Sequence, residues 1–290
     1  MLTRVVNIRP LEPTRLAIRR ALIRRHLRKV TVGKSQFLNI ELKDREIDTS
    51  LLLLEMIKPL DPDSDPFRRF ASAMRRSGAD NAVIDGLASR ESIVRARSAR
   101  IAGAMRMEQL VPWITPLLWS REPTVRSSAA RALATIGGVR SADALLIAIQ
   151  RLGPRPSLIL ALARAAPDLY LEGVLGGSES RGEEPAVAMA AGLRGRRVAT
   201  AALILQVRSG SRWARIASCR ALGWLGAPAG VLELTLALAD RDWWVRMSAA
   251  KALGAIPAYR PGPQLQACLT DRNPRVQRSA RDALRRLGRR

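Results

Sequence analysis

The feature that most restricts the fold is a short segment that recurs along the chain. The sequence EPTVRSSAARAL at Glu122–Leu133 returns as DWWVRMSAAKAL at Asp242–Leu253 and as NPRVQRSARDAL at Asn273–Leu284. Weaker copies lie at Ser92–Ala99 and Arg212–Leu222. Self-similarity at a period of about 20–50 residues is typical of stacked structural repeats, so the chain is predicted to consist of similar units.

The valine of this segment marks the register of the repeat. The marker slot is occupied by Val94, Val125, Ala214, Val245 and Val276. The common spacing is 31 residues, and steps of 31 from Val125 reach Pro156 and then Val187. On this register the step from Val187 to Ala214 shortens to 27, and the unit around Pro156 is the most eroded. About seven or eight units are predicted.

Each unit has the pattern of a helical hairpin. An acidic residue or serine near a proline favours a helix start, because proline is tolerated in the first turn and an acid there interacts favourably with the helix dipole. Val, Ala and Leu at helical spacing then form an apolar stripe, and a turn with Gly follows. The second helix has its own apolar set, as in Ala142–Ile149. One hairpin cannot bury its apolar face alone, so the units are predicted to stack.

This pattern resembles HEAT repeats of the short bacterial kind that is also found in phycobilin lyase subunits. The resemblance covers residues 61–290 and implies an all-α, right-handed α-α superhelix, a HEAT-repeat solenoid of about seven to eight helix pairs. Residues 1–60 are predicted to form a separate basic N-terminal helical segment, which caps the solenoid or contacts a membrane or partner. The resemblance is specific for architecture and says little about function.

The net charge of the chain is +24, from 49 Lys and Arg residues against 25 Asp and Glu. A charge of this size favours anionic partners: nucleic acid, an acidic protein surface or a membrane surface. The excess is spread along the chain, which weakens the prediction of one dedicated groove. Two isolated cysteines and no apolar run of about 18 residues favour a cytoplasmic protein, with a peripheral position at the inner membrane face as the alternative.

The arginine after the marker has two interpretations. The set is Arg95, Arg126, Arg215 and Arg246. These side chains form either a ladder for phosphate groups or, as the resemblance to HEAT repeats implies, structural pairs with acidic caps and helix ends of adjacent repeats. The structural interpretation is favoured.

Trp213 and Trp244 precede the marker in successive units, and Trp243 adjoins the second. They form either an aromatic surface for a partner side chain or an unstacked base, or packing residues between repeats. Both interpretations are open. Trp113 and Trp119 are predicted in the core of a second helix, and Trp224 is predicted to pack against a turn.

HEAT-like alkylpurine DNA glycosylases use Trp and Asp on a basic concave face. The pair Asp240 and Asp242, beside Trp243 and Trp244, is the local similarity in this chain. Asp242 stands where the repeat places a helix cap, so a structural role is favoured.

The N-terminal segment Arg15–Val30 is predicted to be helical. Its basic side chains include Arg19, Arg20, Arg24 and Arg25. Such a helix lies on an anionic membrane surface or along nucleic acid, or it caps the solenoid with its narrow apolar stripe. The capping role is favoured.

No catalytic constellation is recognised. His26 is the only histidine, which excludes His-based triads and multi-His metal sites. Cys219 fills an alanine slot and is predicted to be a buried apolar residue. No cofactor, metal or small-molecule substrate is predicted.

The function that these observations favour is a non-catalytic scaffold or adaptor that binds a protein through the HEAT-repeat groove. The alternative is a solenoid that binds nucleic acid. Units near Pro156 and Val187 lack the marker arginine, and the Gly-rich acidic stretch Gly176–Glu184 is predicted to be a loop that interrupts the array. Residues 150–190 are therefore predicted to be the least stable part, and a bend or docking notch.

Overall fold

The computed structural model describes residues 12–38, 49–177 and 182–288. Within these ranges the chain is all-α, with seventeen α-helices and no strand, as predicted. The α-helices are α1 (Glu12–Thr31), α2 (Thr49–Ile57), α3 (Asp65–Arg76), α4 (Ala79–Leu87), α5 (Ser92–Ala104), α6 (Val111–Ile114), α7 (Pro123–Ile136), α8 (Gly138–Leu152), α9 (Pro156–Ala165), α10 (Asp168–Gly176), α11 (Glu184–Leu193), α12 (Thr200–Ser209), α13 (Arg212–Leu225), α14 (Val231–Leu236), α15 (Trp243–Leu253), α16 (Pro263–Ala267) and α17 (Pro274–Gly288). Short 3₁₀ helices are Glu108–Leu110, Thr115–Trp119, Arg197–Ala199, Pro228–Gly230, Ala237–Ala239 and Cys268–Thr270.

The chain divides into two compact units, Met1–Ile136 and Gly137–Arg290. In the first unit α1 packs on α2 and α3, where Leu27 and Val30 of α1 are buried. The helix predicted at Arg15–Val30 is thus α1, and its last turns contribute to a core. The predicted boundary at residue 60 lies inside this unit, between α2 and α3. No helix among the described residues is both long and apolar enough to cross a membrane.

The second unit is built from two layers of helices. In one layer α9, α11, α13, α15 and α17 pack on one another in chain order, and in the other α10 packs on α12 and α12 on α14. We call these first five, with α5 and α7 of the first unit, the marker helices. The marker slots Val125, Ala214, Val245 and Val276 have no exposed surface, as predicted, whereas Val94 is half-buried and Pro156, which the predicted register placed in the same slot, is exposed.

Glycines set the distance between neighbouring marker helices. A Cβ added to Gly223 would lie 2.7 Å from the Cα of Ala252, and one added to Gly254 would lie 2.7 Å from the Cα of Ala283. Real Cβ atoms do not approach another atom this closely. Each of these glycines therefore allows one helix to touch the backbone of the next, which no larger residue permits.

The same contact corrects the predicted register of α11. Gly192 meets Ala221 as Gly223 meets Ala252, with a Cβ-to-Cα distance of 2.7 Å. Since Gly192 and Gly223 are 31 residues apart, the residue equivalent to Ala214 is Glu183, which immediately precedes α11. The prediction that Val187 occupies the marker slot is wrong. The reason is that α11 begins only at Glu184, so the first turn of a regular marker helix is absent.

Trp113 was also misassigned to a core. It lies on α6 with 48% of its surface exposed, because the buried face of that helix is formed by Val111 and Ile114. Trp119 is half-buried at the end of the following 3₁₀ helix. The Gly-rich stretch Gly176–Glu184 joins α10 and α11, but residues 178–181 lie outside the described ranges.

Candidate binding groove

The marker arginines of the first unit bind the loop that precedes their own helix. Arg95 donates from Nη1 to the carbonyl oxygens of Ser89 and Arg90, 2.7 Å in each case. Arg126 makes the same two hydrogen bonds at 2.8 Å with the loop before α7. Each guanidinium thus satisfies carbonyl groups at the turn between two helices.

In the second unit the marker arginines also form ion pairs with the next repeat. Arg215 Nε lies 3.0 Å from Asp240 Oδ2. Arg246 contacts both carboxylate oxygens of Asp271, at 2.7 and 2.9 Å, and the two side chains are only 7% and 10% exposed. Hydrogen bonds from Arg246 hold the pKa of the Asp271 carboxyl below its ordinary value, despite the opposing effect of burial. These guanidinium groups are committed to bonds within the protein.

Asp240 and Asp242 have structural partners as well. Asp240 accepts a hydrogen bond of 2.8 Å from the backbone N–H of Asp242, in addition to its ion pair with Arg215. Asp242 caps α15 by accepting from the backbone N–H of Trp244 at 2.8 Å, as predicted, and pairs with Arg212. Neither carboxylate is placed as a free acid beside the tryptophans.

Three tryptophans lie at the N-terminal ends of α13 and α15. Trp213 is 57% exposed, and the guanidinium of Arg212 lies 4.9 Å from its ring centre. Trp243 and Trp244 are half-buried and stack with ring centres 4.3 Å apart, and the guanidinium of Arg275 lies 5.3 Å from the Trp243 ring. Cation–π contacts therefore hold these rings in place while the Trp213 ring stays open to a partner.

Trp213 and Trp244 line an apolar groove of about 590 Å³ in the second unit. Its remaining wall is mainly aliphatic, with contributions from Leu146, Ile149, Ile159, Met189 and Ile216. Polar groups are few. Glu183 accepts a hydrogen bond from Gln150, and Arg220 lies at one side. A concave site of this size, mostly apolar with a few polar groups, is typical of ligand-binding surfaces.

The groove lies where the repeats are eroded. α11 begins at Glu184, whereas α13, α15 and α17 each begin two residues before their marker residue. Gly182 precedes α11 and Pro185 lies in its first turn, and both residues line the groove. The space that a regular helical turn would fill is left open. Gln150, Gly153, Pro154, Ile159 and Met189, which lie between residues 150 and 190, line the groove, and a docking role for this region stays a prediction.

A second depression of about 380 Å³ continues along the marker helices from Arg220. Its cations are Arg220 on α13, Lys251 on α15 and Arg286 on α17, and all three side chains are exposed. Trp224, which the sequence analysis placed against a turn, lines this depression on α13 and is 49% exposed. Sequence analysis missed these cations, although Arg220 and Lys251 stand 31 residues apart, one repeat, in equivalent slots.

The basic residues of α1 belong to the first unit. Their side chains are exposed, and Arg24 pairs with Glu55 of α2 at 2.9 Å. The set is Arg19, Arg20, Arg24 and Arg25. They are remote in sequence from the groove residues, all of which lie in the second unit.

Both cysteines lie in the second unit, and both are buried. Cys219 has no exposed surface, and burial raises the pKa of its thiol to about 12. Burial also raises the pKa of the Cys268 thiol. Across residues 12–38, 49–177 and 182–288, no group of three or more His, Cys, Asp or Glu side chains is placed to hold a metal ion.

Comparison with protein families identifies the architecture. The family model described as HEAT repeats matches residues 81–163 and 199–285, more than half of the chain. The chain therefore belongs to the HEAT-repeat family. Its assignment to the phycobilin-lyase kind stays a prediction. A repeat architecture of this class fits the role of a binding adaptor.

Solved structures of similar fold include natural and designed proteins. Human deoxyhypusine hydroxylase in complex with glycerol is 21% identical, over 97% of this chain and 100% of that chain, with a TM-score of 0.38. Kap121p bound to Ste12p is 13% identical, over 92% of this chain and 35% of that one, with a TM-score of 0.42. A designed armadillo repeat protein is 16% identical, over 71% and 98%, with a TM-score of 0.30. No curated protein matches the chain.

Proposed function

We propose that this protein is a non-catalytic scaffold that binds a segment of a partner protein in the apolar groove of its second unit. The observation that carries the proposal is the groove itself, a concavity of about 590 Å³ with a mainly apolar lining and with Trp213, which is 57% exposed, at its edge. A concave and mostly apolar site with a few polar groups is the usual form of a binding site. Tryptophan is also among the residues that contribute most to binding at protein interfaces.

The surroundings of the groove support binding rather than catalysis. Catalysis by a nucleophile needs an accessible group with a suitable pKa, and the Cys219 thiol is buried with a raised pKa. The carboxylates of Asp240 and Asp242 are held by Arg215 and by the N-terminus of α15. Both cysteines are free, which supports the further proposal of a reducing, cytoplasmic location.

The nucleic-acid alternative draws less support from the site. A phosphate ladder formed by the marker arginines requires their guanidinium groups to be free, yet Arg215 and Arg246 are engaged by Asp240 and Asp271. The groove itself is apolar, whereas phosphate contacts dominate nucleic-acid interfaces. A protein segment with large apolar side chains matches this wall more closely.

The proposal is tested by selecting peptides from a random phage-displayed library on the full chain. Dissociation constants of labelled peptides are then measured by fluorescence anisotropy. Trp213→Ala should weaken groove binders by at least about tenfold, because truncation of a tryptophan that acts as an interface hot spot costs about 2 kcal/mol or more. Trp113→Ala is the matched control, since Trp113 is 48% exposed in the other unit. If both variants bind every selected peptide as tightly as the wild type, the groove is not the binding site.

A further inference from the structure

We infer that the bound segment is extended and acidic, with a large apolar side chain in the groove and its carboxylates on Arg220, Lys251 and Arg286. We call these three residues the cation row. The inference rests on the proposed function and adds the chemistry of the partner. It follows from the continuity of two depressions, from the pairing state of the cations and from one buried hydroxyl.

The groove and the second depression form one path along the marker helices. Arg220 lines both of them, with the tryptophan-edged groove on one side and Lys251 on the other. The helices that carry the row, α13, α15 and α17, pack on one another in that order. A ligand anchored in the groove and continued past Arg220 therefore crosses successive helices, which an extended chain does more readily than a compact molecule.

The cations of the row differ from the marker arginines in their partners. Arg215 and Arg246 are tied to aspartates, whereas Arg220, Lys251 and Arg286 make no ion pair with any residue in the described part of the chain. Asp282 is the one acid among the residues that line the second depression, and it pairs with Arg285. The row therefore presents positive charge to a ligand, and the fold does not use that charge.

A buried hydroxyl adds a polar group to the same depression. Ser248 of α15 is only 1% exposed and is among the residues that line the second depression. Within the described residues its Oγ has no hydrogen-bond partner, as is also true of Ser141 and Ser218. Buried polar atoms in folded proteins are almost always bonded, so a ligand group that reached the Ser248 hydroxyl would satisfy it.

These features define complementarity to an acidic segment. A carboxylate beside Arg220 or Arg286 gains charge-assisted hydrogen bonds, and a lysine or arginine in the same place meets like charge. Because the row is exposed to water, its main effects are on selectivity and association rate, while the apolar groove supplies most of the affinity. The partner is thus identified by large apolar residues followed by Asp or Glu.

The test compares charge variants of both protein and peptide. Each groove-binding peptide is synthesised in three forms, with its Asp and Glu residues kept, replaced by Asn and Gln, or replaced by Lys. Wild-type protein should bind the acidic form at least about tenfold more tightly than the neutral form, and this ratio should fall as salt concentration rises. The double variant Lys251→Glu/Arg286→Glu should lose the preference and bind the Lys form more tightly than the acidic form.

The matched control is Arg197→Glu/Arg260→Glu. These two arginines are exposed, lie outside both depressions and change the net charge by the same amount. This variant should keep the preference for acidic peptides, which separates a local effect of the row from the effect of overall charge. Thermal unfolding of both double variants verifies that they are folded.

The outcomes separate the inference from the proposed function. Peptides that need Trp213 but bind equally in acidic and neutral forms would overturn the acidic-segment inference and leave the groove as the binding site. Peptides whose binding is insensitive to Trp213 would overturn both. If both double variants lost the preference for acidic peptides to the same extent, the inference would also be overturned, because the change in net charge alone would explain the loss. Displacement of every peptide by a fatty acid or by single-stranded DNA, at equal concentration, would assign the path to that ligand instead.

Discussion

Two kinds of marker helix stand side by side in the second unit. α13, α15 and α17 start ahead of the marker residue, and Arg215 of α13 and Arg246 of α15 pair with an aspartate of the next loop. In the last repeat Gln277 takes the arginine slot and donates to the carbonyl of Asp271, in the loop before its own helix, at 2.7 Å. α9 and α11 have no arginine in this slot, and α11 lacks the first turn. The regular helices are joined to the next repeat by ion pairs, whereas residues of α9 and α11 line the groove.

The comparison shows that the same departure from the repeat has two effects. α11 lacks the first turn and has no side-chain cap, and its Met189 lines the groove together with the buried Ile216 of α13. Regular repeats then act as the rigid support, and the eroded repeats supply the surface.

The largest effect is expected for the ion pair between regular repeats. Asp271→Asn leaves the buried guanidinium of Arg246 without a counter-charge and should lower the free energy of unfolding by about 3 kcal/mol. Chemical denaturation at neutral pH measures the change. Asp282→Asn is the control, because its partner Arg285 is 69% exposed and surface pairs contribute less than about 1 kcal/mol. Equal losses in the two variants would contradict the structural importance of the buried pair.

The ion pair between Arg246 and Asp271 also predicts that the stability of the protein depends on pH. The pKa of Asp271 is lowered in the folded protein, so its stabilising contribution is fully present above the unfolded value of about 3.9 and disappears as pH falls through the folded pKa. The difference in stability between wild type and Asp271→Asn should therefore shrink below about pH 4. Denaturation curves over a pH series provide the measurement, and a difference that grows towards acid would refute the assignment.

A somewhat smaller effect is expected where helices touch. Gly223→Ala places a methyl group 2.7 Å from the Cα of Ala252, and the overpacking should exceed the gain in helix propensity, with a net loss of about 2 kcal/mol. Gly173→Ala is the matched control, because it is also helical but has no atom within 4 Å of the added Cβ. That variant should be stabilised by about 0.5–1 kcal/mol. The two changes should thus have opposite signs in thermal unfolding.

The smallest expected difference concerns local opening. Amide hydrogens of α9 and α11 should exchange at least about tenfold faster than those of α13 and α15, because the short helices lack marker ion pairs and a first turn. Hydrogen exchange followed by mass spectrometry on the unmodified protein resolves these segments. Equal protection in both sets would show that erosion of the repeat does not weaken the fold.

Much of the architecture was predictable because the repeat records a buried face directly. The marker stripe, the cap by Asp242 and the buried state of Cys219 follow from residue type and position in the repeat. The register of α11 was not predictable, since Val187 imitates the marker locally and only the contact of Gly192 with Ala221 fixes the alignment. The groove lies beside the absent first turn of α11, and no residue pattern in the sequence indicates that a helical turn is absent.

The cation row was hidden for a different reason. In a chain with 49 Lys and Arg residues, single basic positions attract little notice. Whether a given arginine is paired depends on which acid the fold brings near it. Arg215 and Arg220 lie on the same helix, yet the first is tied to Asp240 and the second has no ion-pair partner within the described residues.

The glycine contacts between marker helices also determine how many residues of an extended partner chain lie between one helix and the next. Gly223 and Gly254 hold α13, α15 and α17 at backbone contact, the short end of the usual interaxial range of about 8–10 Å. An extended polypeptide advances about 3.3 Å per residue, so it covers one such step in two to three residues. A partner segment aligned with these helices would therefore present its acidic side chains at intervals of two to three residues, in the order in which the helices follow one another.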